Sequence, residues 1–298
     1  MTGRILVTGA AGRLGASVVA AFAGYDVIAY RRAALDITDP EAVRRAIGGA
    51  ASAVVINCAA FNDVDGAETR PTDALAVNAF AVRSLARAAE TCGATFVHFG
   101  TDFVFDGNAT EPYGEEAVPS PRSVYALSKL LGEWFALDAP RGFVLRVESL
   151  FGAPAGWSGR PGSLDAIVEG LEQGRDVRVF TDRVVSPSYA HDVARAVRHL
   201  VETTAPPGVY HCVNSGRATW YDVAEEAARL LGVRPRLQPI RLDQVALKAT
   251  RPRFCALANR KLAATGFTMP AWNDALRRWL TERGARRDNR DNRDNIDT

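Results

Sequence analysis

The chain has 298 residues, 47% of them hydrophobic and 23% charged, with a formal net charge of +2. That length holds one large or two closely joined domains, and the composition is that of an ordinary globular enzyme. The balanced charge carries no nucleic-acid or membrane signature. No apolar run approaches the ~20 residues of a membrane-spanning helix. Ile5-Leu6-Val7 is interrupted by glycines too soon to be a signal peptide. Cys58, Cys92, Cys212 and Cys255 are scattered without C-x-x-C spacing. A reduced cytoplasmic protein with half-buried packing cysteines is the expectation.

A short β-rich run at 5–7 enters a loop with Gly9, Gly12 and Gly15, and a helical run at 16–22 follows. This strand, glycine loop and helix order is what a dinucleotide site requires. Glycine permits the tight turn and a close approach of pyrophosphate to the helix N-terminus. Arg13 and Leu14, inside the loop, join the expected cofactor contacts. A second strand is predicted at 26–30. It ends in Arg31 and Arg32 rather than in an acid. Two guanidinium groups suit a ribose 2′-phosphate, so NADPH is favoured, with NADH as the alternative. Asp36 and Ile37 are placed at the adenine edge.

Further strands are predicted at 54–58, 95–99 and 143–146, with helices at 74–91 and 125–137. Strands alternating with helices of this length imply an α/β fold with a doubly wound parallel sheet, helices on both faces. Beyond residue 150 the pattern loosens. Residues 152–162 read as a mobile loop, and helices are predicted at 163–173, 221–231 and 273–283. A late strand at 209–213 returns to the sheet. The resulting division is a Rossmann domain at 1–150, with returns near 189–213, and a smaller substrate lobe at 151–285. The tail at 286–298 repeats an Arg-Asp-Asn unit without apolar side chains, and is expected to be disordered.

Tyr125 and Lys129 stand four residues apart in a helical stretch, hence on one face. An ammonium beside a phenol favours the phenolate and lowers its pKa. Such a tyrosine can exchange a proton with a carbonyl oxygen.

Together these residues resemble the extended short-chain dehydrogenase/reductases, and more closely the dTDP-4-dehydrorhamnose reductase family, over roughly residues 4–280. Asn57-Cys58-Ala59-Ala60 with Val64-Asp65 and Ala67-Glu68 is similar to the family's N-x-A-A-x-x-x-V-D-x-A-E. Thr101 to Gly107 resembles T-D-Y-V-F-D-G, and Val124 to Glu133 resembles V-Y-G-x-(S/T)-K-L-x-G-E. Gly208 to Tyr221 resembles G-x-Y-H…S-G…T-W-Y, and Arg251-Pro252 to Leu257 resembles R-P-x-x-S-x-L.

The resemblance implies hydride delivery from NADPH to the C4 ketone of a nucleotide-linked 6-deoxysugar. Tyr125 would protonate the alkoxide, Lys129 would tune it and hold the nicotinamide ribose, and Thr101 would position the ketone. Cys58, Ala59 and Ala60 would line the cofactor. Val104, Phe105, Ser149, Trp220 and Arg251 would meet the sugar nucleotide. Plain core packing for Trp220 and a surface ion pair for Arg251 stand as the other readings. The resemblance also allows a homodimer.

The chain departs from the family pattern at Gly100, at Val147-Glu148-Ser149 in place of T-S-W, at Arg183 and Val185, and at Cys255 in place of serine. A changed sugar pocket follows, with Ser149 leaving room and Glu148 read as a pocket acid or, the favoured reading, as the partner of a nearby arginine. Two alternatives stay open: an epimerase or dehydratase, and a cofactor-binding subunit like the regulatory subunits of methionine adenosyltransferase. Asp102 is followed by Phe103, which lacks a dehydratase's second acid. The four histidines show no ligand spacing, and no metal is expected.

Overall fold

The computed structural model describes residues 3–203 and 205–294, with 286–294 as backbone only. Strands β1 (Arg4–Thr8), β2 (Val27–Tyr30), β3 (Ser52–Asn57), β4 (Thr95–Thr101) and β5 (Gly142–Val147) form a parallel sheet with a sixth strand, Gly208–His211. The order is β2-β1-β3-β4-β5 and then the sixth strand. β4 and β5 are buried along their whole length, as strands covered on both faces must be.

Alternation distributes the side chains to two cores. Ile5, Val7, Ile56, Val97 and Leu145 pack with Val18 of α1 (Arg13–Ala21) and with Val193 and Val197 of helix Ala190–Glu202. Leu6, Val55, Phe96 and Val144 face the other way, onto Val43, Ile47, Val82 and Leu85. The strand order reverses between β1 and β3, which opens a crevice at their carboxyl ends.

The second lobe is built on the parallel pair Asp176–Phe180 and Arg236–Ile240. Helices Ser163–Glu172 and Trp220–Leu231 pack there with the helix from Trp272, around Leu164, Val168, Val223, Leu276 and Trp279. Helix Trp220–Leu231 starts on a reciprocal cap between Thr219 and Asp222 and ends at Gly232, whose φ of 67° suits glycine.

Two segments differ from expectation. The helix expected at 74–91 begins at Pro71, a favoured first position, and widens into a π turn at Ala76–Phe80. There the Asn78 carboxamide bonds both backbone groups of Phe61 and the Ser128 hydroxyl. The tail also departs, because the last helix runs on from Trp272 to Asp294. Propagating a helix from a packed nucleus costs far less than starting one, so a polar stretch can continue it. Residues 295–298 lie outside the described residues. No helix among the described residues is long and apolar enough to cross a membrane.

Candidate active site

The glycine loop sits at the switch point. Gly9 has a φ of 65°, and a Cβ there would lie 2.5 Å from the Ala59 nitrogen. The Ala10 N–H donates to the Tyr30 carbonyl at 3.1 Å, and the Cys58 N–H to the Thr8 carbonyl at 3.1 Å. The Thr8 hydroxyl donates to Asn57 Oδ1 at 2.6 Å, binding β1 to β3 at the crevice. α1 begins at Gly12 with no side-chain cap and no acid in its first turn. Its N–H groups and partial positive charge are therefore left for an anion.

A Cβ on Gly15 would stand 2.3 Å from the Gly9 carbonyl oxygen. Gly15→Ala is accordingly expected to lose about 1–3 kcal/mol through overpacking, and to bind dinucleotide more weakly. Urea unfolding and coenzyme titration check both.

Arg13 turns toward the second lobe. It pairs with Asp165 at 2.5 Å, donates to the Gly152 carbonyl at 3.3 Å and lies 4.7 Å from the Trp157 ring centre. Trp157 Nε1 in turn donates to the Ala11 carbonyl at 3.0 Å. The loop at 152–162 is thus tied to the glycine loop. Leu14, expected at the cofactor, is buried in the sheet core. Arg31 and Arg32 are exposed at the end of β2. Asp36 accepts from the backbone and hydroxyl of Thr38, which hold its carboxyl below the usual range. Ile37 packs in the core beside Val43 and Ile47. Cys58 is half-buried, with Ala59 and Ala60 following it at the end of β3, whereas Cys92 is exposed and Cys212 and Cys255 are buried.

Thr101 ends β4, and helix Val124–Leu137, capped by Ser123, carries Tyr125 and Lys129. Tyr125 lies beside Thr101, and Phe103, whose N–H donates to the Thr101 hydroxyl at 3.3 Å, meets the Tyr125 ring edge-on at 5.7 Å. Lys129 Nζ donates to the Phe99 carbonyl at 2.5 Å. The three expected catalytic residues are brought together. Their electrostatics differ from expectation, because burial and the Asp102 carboxylate push the Tyr125 phenol up rather than down. Burial pulls Lys129 down to about 8, against the pull of Glu133 and Cys58.

Behind this face lies a closed ion pair. Arg146 binds Glu133 through Nη2 at 2.8 Å and through Nε at 3.0 Å, with the two side chains 4% and 1% exposed. A Cβ on Gly100 would stand 2.1 Å from Glu133 Oε1, so the glycine gives this carboxylate room.

The substrate residues scatter. Val104 and Phe105 are 0% and 1% exposed, packed with Leu130, Val213 and Leu257. The 3₁₀ turn Asp102–Val104 rotates them inward and leaves Phe103 against Tyr125, so their expected substrate contact is corrected. Trp220 belongs to the second-lobe core and walls a cavity of about 440 Å³ with Phe180 and Arg183, which excludes Thr101, Tyr125 and Lys129. Arg251 pairs with Asp65 at 2.9 Å. Ser149 is half-buried, with a φ of 44°.

The residues that sequence reasoning undervalued surround Asp102. Oxygen atoms of Asp102 and Glu148 and the Cys255 sulfur lie within 4.8 Å of one another, all buried. Glu148 forms no ion pair among the described residues. Instead its Oε2 accepts from the Ser186 N–H at 2.6 Å. The expected arginine pairing is corrected on that account. The only signal for this cluster was that three departures from the family pattern, at 148, 183 and 255, point to one place.

The glycine loop at the switch point and the buried tyrosine–lysine pair beside it define a Rossmann-type reductase. The chain belongs to the RmlD substrate binding domain family, which matches it over residues 3–284. It is 37% identical over 286 residues to a dTDP-4-dehydrorhamnose reductase of Streptomyces griseus, covering 93% of this chain and 90% of the relative. It is 38% identical over 285 residues to a dTDP-4-keto-6-deoxy-D-glucose reductase of Streptomyces niveus, covering 93% and 96%. A crystal structure of dTDP-4-dehydrorhamnose reductase from Bacillus anthracis in complex with NADP superimposes with a TM-score of 0.89 at 28% identity, covering 95% of this chain and all 100% of that one.

Proposed function

We propose that the protein reduces the C4 ketone of a nucleotide-linked 6-deoxysugar with NADPH. The carrying observation is the Thr101–Tyr125–Lys129 cluster at the carboxyl edge of the sheet, in a chain of this family. The coenzyme fits the uncapped α1 N-terminus, whose Gly12, Gly15 and first-turn N–H groups would hold the pyrophosphate. Arg31 and Arg32 would face its 2′-phosphate. When bound, NADPH supplies the hydride.

With substrate bound, Tyr125 would direct its hydroxyl at the ketone oxygen, where negative charge develops, with Thr101 beside it. Tyr125 gives its proton to that oxygen. Lys129, held by the Phe99 carbonyl, sets positive charge beside the site. The Rossmann half at 1–150, with its returns near 189–213, would hold coenzyme, and the lobe at 151–285 would hold the sugar nucleotide. Four free cysteines accord with a cytoplasmic enzyme.

The direct test follows NADPH absorbance with a dTDP-4-keto-6-deoxyhexose. Turnover supports the reading, and tight NADPH binding without its oxidation by any such sugar would sink it. The double variant Arg31→Ala/Arg32→Ala is expected to raise the KM for NADPH about tenfold and leave that for NADH nearly unchanged, since a charge-assisted pair contributes about 1.5–3 kcal/mol.

A further inference from the structure

Asp102 and Glu148 reach one buried spot from different elements, the turn after β4 and the end of β5. Asp102 is 3% exposed and Glu148 2%. Asp102 Oδ1 accepts from the Thr101 hydroxyl at 3.0 Å, and Tyr125 lies beside Thr101. The second oxygen of each acid, Asp102 Oδ2 and Glu148 Oε1, is buried without a hydrogen-bond partner. Two carboxylates this close in a dry interior cannot both stay ionised, and an unpaired buried oxygen costs free energy. One proton held between them removes both difficulties.

We propose that Asp102 and Glu148 share a proton and that this pair restores the proton Tyr125 gives away, passing it through the Thr101 hydroxyl. The proposal rests on the reductase reading above.

Arg183 comes from the loop after Phe180, with Nη2 3.9 Å from Cys255 Sγ, and its charge favours the ionised form of both acids. The Cys255 thiol is pushed far up by burial and by both carboxyls, so it stays neutral. Tyr125 faces the pair from helix Val124–Leu137, and the Ser186 N–H holds Glu148 Oε2. Burial pushes Asp102 up to about 6. Burial and the Asp102 carboxylate push Glu148 well above the usual carboxyl range, which favours the proton on Glu148.

The step balances. The Tyr125 O–H bond breaks as the sugar alkoxide gains its proton. The tyrosine oxygen takes the Thr101 proton, and the pair's single proton moves from Glu148 to Asp102 and from Asp102 to Thr101. The negative charge that arrived with the hydride leaves both carboxylates ionised only transiently beside Arg183, the state their proximity disfavours, and a proton from bulk solvent restores the shared one. Glu148 acts through its neighbours and is a positioning residue.

The test uses NADPH-loaded full-length enzyme near neutral pH. Infrared spectroscopy is expected to show the carbonyl band of a protonated carboxyl, absent from Glu148→Gln. With a 4-ketosugar nucleotide, Glu148→Gln is expected to lower kcat about tenfold at unchanged KM and to enlarge the solvent deuterium isotope effect. Glu148→Asp, which keeps the acid, should recover most of the loss. Absence of the band from wild type, or an unchanged isotope effect in Glu148→Gln, would overturn the proposal. So would stoichiometric zinc in the purified enzyme, because a metal on Asp102, Glu148 and Cys255 leaves no shared proton. The infrared arm needs no turnover, so it separates failure of the relay from failure of the reductase reading.

Discussion

Tyr125→Phe is expected to cut kcat by about 10²–10⁴-fold, the usual contribution of a positioned general acid, with NADPH affinity little changed. The ring would keep its edge contact with Phe103 and its place beside Ala67 and Ala74, so the loss falls on the proton alone. The raised pKa of this phenol suits the reductive direction, because the group must still hold its proton when the alkoxide forms. Lys129 sets the pH limit instead. It is charged below its pKa of about 8, so activity is expected to fall as pH rises through that value. Steady-state kinetics across pH, beside a coenzyme titration of the variant, check both parts. A Tyr125→Phe enzyme retaining a tenth of the wild-type rate would remove the tyrosine from the chemistry.

Arg146→Met is expected to destabilise the protein by about 3–5 kcal/mol, the cost of leaving a buried partner charge unpaired. Glu133 sits in the helix one turn after Lys129, and Arg146 reaches it from β5. The pair joins the active-site helix to the sheet where Gly100 makes room for it. Replacing both partners, as Glu133→Gln with Arg146→Met, should recover much of the loss, because no lone charge remains. Equilibrium urea unfolding of the single and double variants measures the difference. The double variant has a functional cost: Glu133 helps keep Lys129 charged, so its removal should move the alkaline fall in activity to lower pH.

The parts of the protein governed by local rules were readable from the chain. β1, the glycine loop and α1 follow one another within a few residues, and helix Val124–Leu137 shows its cap and its Tyr–Lys spacing directly. The misreadings have long-range causes. Val104 and Phe105 follow the catalytic threonine closely, yet a single 3₁₀ turn sends them into the core. Arg13 looked available to a phosphate until Asp165, far along the chain, paired with it. Glu148 comes to Asp102 from the end of β5, a proximity that no local spacing announces. A tyrosine's pKa depends on burial and on charges met only in three dimensions, which is why helical spacing predicted the wrong direction.

Ser149 has a wider consequence. Its backbone is left-handed, at a φ of 44°, where β-carbon crowding disfavours bulky side chains. Restoring an aromatic residue at this position would therefore have to bend the chain between β5 and Leu150 as well as fill space. The divergence from the relatives is written into the main chain, and a single codon change would not reverse it. An engineer seeking an aromatic residue here would need to replace the whole segment from 147 to 152, together with the Ser186–Ser188 turn that leans on it.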